Sequence, residues 1–166
     1  MKCALTGHRF GDLPFGRNEE DLRCLRFKDA LRTTLLSLIE EQQVDTFLCG
    51  MALGCDQIAA ELILTLKKTH PHIRLIAYVP CREQYLKWNR AQIARYRALL
   101  QNSDEIRQIS DTYTPSCMIQ RNRKMVEDAD LLLALYTAPK RGGTFQTINF
   151  AKKKGIEIIV LSPHNF

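Results

Sequence analysis

The sequence predicts an α/β protein built on a doubly wound, mainly parallel sheet with helices on both faces. Short apolar runs alternate along the chain with longer segments whose apolar residues recur at helical spacing. Two of the runs, 131–136 and 156–161, are almost entirely apolar, which is typical of strands buried on both sides. The 166 residues suit one compact unit, so a single domain over residues 1–166 is expected.

The first half of the chain carries three expected strands and two expected helices. The helix over 21–42 repeats apolar residues at helical spacing from Leu22 to Ile39. The helix over 56–68 is expected to stop at His70-Pro71, because proline cannot continue a helix. The strands are expected at 2–5, 46–49 and 73–79, each followed within two residues by glycine or proline.

The second half adds three helices and three strands. A charged helix is expected over 82–101, with Leu86, Ile93 and Tyr96 packing inward. The remaining elements are a strand at 105–109, a helix over 116–128, a strand at 130–136, a helix over 145–154 ended by Gly155, and a last strand at 156–161.

The composition narrows the function classes before any motif is considered. Lys and Arg (24) outnumber Asp and Glu (18), and the net charge of +6 attracts anions: a phosphate ligand, a nucleic acid or an acidic partner. No apolar run approaches the roughly 20 residues of a membrane span. The N-terminus turns polar too early for a signal peptide, so a cytoplasmic location is expected. The six cysteines are scattered without a C-x-x-C pair, which favours reduced thiols and no metal site.

The residues that follow the strands are the candidates for a site, because open α/β sheets bind ligands outside the carboxyl ends of their strands. The loop from Gly50 through Ala52 to Gly54 joins a strand to a helix, and its glycines would let the backbone approach a phosphate. The alternative is that they only permit a tight turn. Asp56 is a candidate ligand contact and equally a helix N-cap.

Two further loops carry anion-binding chemistry. Arg141-Gly142-Gly143-Thr144 opens the helix after the strongest strand, so its backbone N–H groups and hydroxyl suit an anion, with Lys140 adding charge. The alternative is a surface loop with solvated charges. Thr6-Gly7-His8-Arg9 follows the first strand and supplies donors from His8 and Arg9, although a lone histidine is more often structural.

Two helical segments carry the remaining candidates. Arg121 and Asn122 lie early in a helix, where one basic side chain can enter the site while its neighbours stay solvated. Gln84 and Trp88, four residues apart, could line a pocket for a base or ribose. The basic and aromatic residues of 82–97 also suit nucleic acid, but an amphipathic helix explains them more simply.

Taken together, these motifs resemble the SLOG superfamily, and within it the YpsA-type branch. The resemblance runs from about residue 2 to residue 163 and rests on the order and placement of motifs that are weak singly. They are Thr6-Gly7-His8-Arg9, the loop Gly50-x-Ala52-x-Gly54-x-Asp56, Pro80 with Gln84 and Trp88, Arg121-Asn122, Ala129-Asp130 and Gly142-Gly143-Thr144.

The resemblance implies a Rossmann-like fold and a pocket for a nucleotide-derived ligand, with ADP-ribose and NAD among the candidates. YpsA-type proteins are proposed to sense such ligands. Related branches include the Lonely Guy phosphoribohydrolases and the DNA-processing protein DprA. Proteins of this kind commonly form dimers, so a homodimer is an open expectation, with exposed apolar residues of the 82–100 helix as its interface.

Comparison with the motifs of the Lonely Guy enzymes tests whether this sequence carries their catalytic residues. Arg121 and Met125 fall where Lonely Guy enzymes carry their catalytic arginine and their methionine, but Thr147 stands where the enzymes have glutamate. A carboxylate stabilises the oxocarbenium-like state of N-glycosidic cleavage, and Thr147 cannot supply one. Asp56 is the candidate substitute. Three hypotheses remain open: ligand binding or sensing, nucleotide N-glycosidase activity, and binding of single-stranded DNA. The net positive charge argues for a small phosphate ligand more than for a nucleic acid, so nucleic acid is the least expected partner.

Overall fold

Six strands form one sheet that is parallel throughout, in the order β4-β3-β2-β1-β5-β6. The structure is a computed structural model that describes residues 1–137 and 141–166. The strands are β1 Lys2–Gly7, β2 Thr46–Cys49, β3 Arg74–Val79, β4 Glu105–Gln108, β5 Leu131–Leu135 and β6 Glu157–Val160. The helices are α1 Leu22–Glu40, α2 Cys55–Lys67, α3 Arg90–Asn102, α4 Cys117–Asp128 and α5 Gly142–Lys154, with short 3-10 turns at Phe10–Asp12 and Pro163–Asn165.

Helices cover both faces of the sheet, as predicted. Helices α1, α2 and α3 pack on one face, where Cys3 and Leu5 of β1 point. Helices α4 and α5 pack on the other face, to which Ala4 points. This alternation follows from the two-residue side-chain period of a strand. The predicted Rossmann-like, doubly wound α/β fold is therefore confirmed.

The chain reverses its direction of winding between β1 and β5. From β1 it proceeds outward through β2 and β3 to β4, then returns across the sheet to β5 and continues to β6. The connections on either side of this switch point run to opposite faces, which opens a crevice at the carboxyl ends of the two central strands. The candidate loops after β1, β2 and β5 all end at this edge of the sheet.

The predicted helix over 82–101 is wrong in its first eight residues. Residues 82–88 form turns, and α3 begins only at Arg90. Asn89 caps that helix, and its side chain and that of Gln92 each accept a backbone N–H of the other residue, which fixes the boundary. Leu86, predicted to pack inward, is 66% exposed, whereas Tyr96 is buried as predicted.

Helix α5 begins at Gly142, three residues before its predicted start. Two glycines are poor helix formers, so the sequence pattern favoured a loop there.

All six cysteines are free and buried. None of the helices in the described part of the chain is long and apolar enough to cross a membrane.

Candidate functional site

A cleft of about 300 Å³ lies at the switch point, above the carboxyl ends of β1 and β5. Leu5, Thr6 and Met125 contribute apolar and hydroxyl surface to it. Asp12, which the sequence did not single out, lines it as well, and so does Arg141, which was predicted to lie at the rim of the site. Ten predicted site residues also line it: Gly7, His8, Arg9, Ala52, Asp56, Arg121, Asn122, Gly142, Gly143 and Thr144.

Arg121 is the buried cation of the cleft, with only 3% of its surface exposed. Its Nη1 donates to the carbonyl oxygen of Gly50 at 2.6 Å, and its Nε donates to Asn122 Oδ1 at 2.7 Å. Burial lowers the pKa of the guanidinium, but arginine stays protonated at neutral pH. Among the described residues, Nη2 has no hydrogen-bond acceptor, and this atom is accessible to solvent. One charged nitrogen is therefore available to a ligand.

Asp56 supplies a carboxyl group to the same cleft. Its Oδ2 accepts the backbone N–H of Ala52 at 3.3 Å, and 7% of its surface is exposed. Burial raises its pKa above the ordinary value, while Arg121 and Arg9 oppose that rise. Gly54 is the N-cap of α2, so the alternative reading of Asp56 as an N-cap is wrong. The carboxyl group closes the preceding loop instead.

Gly50 and Gly54 lie behind the cleft wall and admit the groups that form it. A Cβ at position 50 would lie 2.6 Å from Arg121 Nη1 and 3.0 Å from Asp56 Oδ2. Gly54 has φ of 105°, and a Cβ there would lie 2.5 Å from the His8 carbonyl oxygen. The Arg121 side chain approaches Gly50 and the His8 backbone approaches Gly54, so packing alone explains why both positions are glycine, without a bound phosphate. Met51 between them is also left-handed (φ 56°), an uncommon conformation for a residue with a Cβ.

The start of α5 forms the opposite wall. Gly142 has φ of 88° with nothing within 4 Å of a Cβ, and Gly143 lies close to Asn122 without crowding. Thr144 Oγ1 donates to the Gly7 carbonyl oxygen at 2.9 Å, which ties the helix to β1. The first N–H groups of a helix have no acceptor within the helix, and the residues at the start of α5 line the cleft. Lys140, a predicted rim cation, lies outside the described residues.

His8 is a neutral group of the cleft wall. His8 Nε2 lies 2.9 Å from both the backbone N–H and the carbonyl oxygen of Thr137, and burial lowers the pKa of the imidazole below its ordinary value. Asp12 is the last residue of the 3-10 turn Phe10–Asp12, which follows β1, and it lines the cleft. Its spacing from Thr6-Gly7-His8-Arg9 was the one sequence signal that could have identified it.

Gln84 and Trp88 line a neighbouring crevice of about 580 Å³ rather than the cleft. Arg9 lines both cavities and so lies at their junction. Gln84 Oε1 accepts from Arg121 Nη1 at 3.4 Å, which connects the crevice wall to the cleft wall. The two residues share this crevice although the segment that carries them is a series of turns and not the predicted helix.

Thr147 has no exposed surface and does not line the cleft. Its Oγ1 donates to the carbonyl oxygen of Gly143 at 2.8 Å, one turn earlier in α5. Asp56 and Asp12 are therefore the carboxyl groups that line the cleft among the described residues. In the same part of the chain, no three His, Cys, Asp or Glu side chains gather to hold a metal ion.

Comparisons with known proteins agree with this architecture. A UPF0398 protein of Halalkalibacterium halodurans is 32% identical over 168 residues, covering 97% of this chain and 87% of the relative. The SPbeta prophage-derived protein YoqJ of Bacillus subtilis is 33% identical over 141 residues, covering 78% of this chain and 82% of the relative.

A solved structure shares the fold, and a family model matches the sequence. DNA processing protein A from Helicobacter pylori, described with its single-stranded DNA binding mode, superposes with a TM-score of 0.63 at 18% identity. The match covers 96% of this chain but 64% of that one, just under two thirds, and shows the fold alone. The family model described as the YspA SLOG family, YpsA, matches residues 3–164. The chain therefore belongs to the YpsA-type SLOG family, as its motifs predicted.

Proposed function

We propose that the cleft binds a phosphate-bearing, nucleotide-derived ligand, and that the chain works as a binding or sensing protein. The observation that carries this proposal is the convergence of a helix N-terminus and two arginines, Arg9 and Arg121, on one cleft. Free N–H groups and the positive end of the α5 dipole favour an anion, and the guanidinium groups add full charges.

The burial of Arg121 strengthens the case for an anionic ligand. A desolvated cation costs free energy unless it is paired or hydrogen-bonded. Arg121 has carbonyl and amide partners for Nη1 and Nε, and the Asp56 carboxyl acts on it electrostatically, but among the described residues no carboxylate forms an ion pair with it. A phosphate oxygen at Nη2 would supply a directly hydrogen-bonded counter-charge in an environment where charge-assisted hydrogen bonds are strong.

Isothermal titration with ADP-ribose, NAD and AMP tests this proposal, with Arg121→Gln and Arg9→Gln as variants. Each variant removes a charged hydrogen-bond donor, so we expect affinity to fall by about 10- to 100-fold. Arg9 is exposed, so its variant keeps the fold even if Arg121→Gln loses it. Arg123→Gln is the matched control, because Arg123 lies two residues along the same helix and stacks on Phe150. No binding of any of the three nucleotides by the wild type overturns the proposal.

A second candidate function is hydrolysis of a nucleotide N-glycosidic bond. The observation that favours it is the carboxyl group of Asp56, which lines the same cleft as Arg121 and supplies the chemistry that Thr147 lacks. This candidate predicts release of free base from AMP, which Asp56→Asn should abolish while nucleotide binding is retained. A wild type that binds nucleotides and releases no base removes this candidate.

Binding of single-stranded DNA stays a third hypothesis. It rests on the net charge of +6 and on the fold that the chain shares with DNA processing protein A. A mobility shift that weakens steeply with salt would support it, because phosphate contacts release counterions. The expectation against nucleic acid and the expectation of a homodimer both stay predictions.

A further inference from the structure

Two cysteines that lie far apart in the sequence meet beside the cleft. Cys81 follows β3, and Cys117 is the first residue of α4. The Cys81 thiol is hydrogen-bonded to the Cys117 thiol. By contrast, the thiols of Cys3 and Cys49 donate to backbone carbonyl oxygens. The contact between Cys81 and Cys117 therefore places two oxidisable sulfur atoms side by side at the carboxyl edge of the sheet.

Cys81 is the member of the pair that a small molecule can approach. Only 1% of its surface is exposed, but it lines the crevice of about 580 Å³ that Gln84 and Trp88 also line. Cys117 has no exposed surface and does not line that crevice. A small oxidant that enters the crevice therefore meets Cys81 first.

The segments that carry the two thiols are irregular and exposed beyond their last sheet contact. The backbone is held as far as Ser110, whose N–H donates to the Pro80 carbonyl oxygen at 3.1 Å. Residues 82–88 and 111–116 are turns, bends and irregular chain. Chain of this kind opens locally at low free-energy cost, so the two sulfur atoms can be brought to bonding distance.

The same two segments hold the guanidinium of Arg121. Cys117 and Arg121 are four residues apart on α4, so their side chains lie on the same face of the helix. Arg121 Nη1 donates to the Tyr78 carbonyl oxygen and to Gln84 Oε1, both at 3.4 Å. Cys81 lies between these two acceptors in the chain. A bond between the two sulfur atoms therefore acts on both sides of the guanidinium.

We propose that Cys81 and Cys117 are a redox modification site, which forms a reversible disulfide when a peroxide enters the crevice, and that this disulfide weakens ligand binding in the cleft. The disulfide itself is independent of the proposed function, whereas its effect on the cleft rests on that function. Without an oxidant the two thiols persist, because burial raises the pKa of Cys81 and keeps the reactive thiolate scarce.

The oxidation consumes one peroxide molecule in two steps. The Cys81 thiolate attacks one peroxide oxygen, the O–O bond breaks, and the departing hydroxide takes up the thiol proton, which leaves a sulfenic acid and one water. The Cys117 sulfur then attacks the Cys81 sulfur, the S–O bond breaks, and the hydroxide leaves with the Cys117 proton as a second water. Two thiols together lose two electrons, which reduce one peroxide to two waters. A dithiol reductant reverses the change by thiol–disulfide exchange.

The new bond changes the surroundings of Arg121. A disulfide has a sulfur–sulfur distance of about 2.05 Å, shorter than a thiol–thiol hydrogen bond, so the first turn of α4 and the chain after β3 must approach each other. The guanidinium has little room to follow, because Nη1 lies 2.6 Å from the Gly50 carbonyl oxygen. We therefore expect oxidation to lower the affinity for ADP-ribose by about fivefold or more, the lower end of the usual coupling between two sites.

Peptide mapping of the native protein after treatment with hydrogen peroxide tests the pair directly. The remaining free thiols are alkylated before digestion, and we expect a linked peptide that joins Cys81 to Cys117. Dithiothreitol should return both residues to thiols. Isothermal titration with ADP-ribose, after the peroxide has been removed, compares the affinities of the reduced, oxidised and re-reduced protein.

Serine variants separate this pair from the other cysteines. Cys81→Ser and Cys117→Ser each remove one sulfur and leave a hydroxyl in its place, so each should prevent the linked peptide and make ADP-ribose affinity insensitive to peroxide. Either variant suffices if the other fails to fold. Cys24→Ser is the matched control, because Cys24 is also fully buried but lies on α1, and it should leave both the linked peptide and the peroxide response intact.

The outcomes distinguish the disulfide from its effect on the cleft. A Cys81–Cys117 linkage with a reversible loss of ADP-ribose affinity supports both. Sulfinic or sulfonic acid at Cys81 without a linked peptide, or linkage of other cysteines instead, overturns the disulfide. Equal ADP-ribose affinities of the reduced and the linked protein overturn the effect on the cleft. Failure of the reduced protein to bind ADP-ribose overturns that effect together with this ligand for the cleft, whereas the linked peptide still decides the disulfide.

Discussion

Replacing Gly50 by alanine tests whether this glycine exists to seat Arg121. The new Cβ would lie 2.6 Å from Arg121 Nη1 and 2.7 Å from Cζ. Carbon atoms rest at about 3.5–4.0 Å from such neighbours, so the guanidinium must retreat by about 1 Å. That movement breaks the 2.6 Å hydrogen bond to the Gly50 carbonyl oxygen, and neighbouring buried groups leave it little room to move.

The magnitude follows from two contributions. Overpacking a buried position costs about 1–3 kcal/mol, and losing a hydrogen bond to a charged group costs about 1.5–3 kcal/mol. We therefore expect the free energy of unfolding to fall by about 2.5–6 kcal/mol. At about 2–4 °C per kcal/mol for a chain of this size, the melting temperature should fall by roughly 5–24 °C.

Thermal and denaturant unfolding measure this loss, and nucleotide titration of the surviving fold measures the effect on the site. Gly143→Ala is the matched control for the unfolding measurements, because its Cβ would meet only Asn122 Nδ2 at 3.6 Å, an ordinary contact. If Gly50→Ala unfolds at the same midpoint as the wild type, the reasoning is refuted, because the Arg121 guanidinium must then be able to take another position without loss of stability.

Three further predictions follow from buried or capping groups. The pKa of His8 is lowered on folding, so stability should fall as the pH drops below about 6.5, where the unfolded state takes up a proton first; His8→Gln should flatten that part of a pH series of denaturant melts. The pKa of Asp56 is raised on folding, so stability should fall as the pH rises above about 4; Asp56→Asn should be more stable than wild type at pH 7, and a less stable variant would contradict this. Asn89→Ala should cost about 1 kcal/mol by removing the α3 cap, and a variant with an unchanged midpoint would show that the cap contributes nothing.

The sheet could be predicted from sequence because its signals are local. The apolar runs at β2 and β5 each match the observed strands to within one or two residues. The start of α3 was missed because residues 82–88 continue the helical mixture of charged and apolar residues. The reciprocal hydrogen bonds of Asn89 and Gln92 fix the start of α3 at Arg90, and they are visible only in the three-dimensional structure.

The site was partly predictable, because the predicted fold determines which loops meet at the carboxyl ends of the strands. The candidates after β1, β2 and β5 come together at the cleft, and Arg121 joins them from α4. The separate placement of Gln84 and Trp88 could not be predicted, because it depends on where the turns of 82–88 pack. The packing reasons for Gly50 and Gly54 also needed coordinates, since a glycine that admits a phosphate and one that admits an arginine look alike in sequence.

A crystal structure with ADP-ribose tests the central claim most directly. We expect phosphate oxygens within about 3 Å of the N–H groups at the start of α5 and of Arg121 Nη2. Phosphate bound elsewhere, or a ligand that leaves Arg121 without an anionic partner, would contradict it.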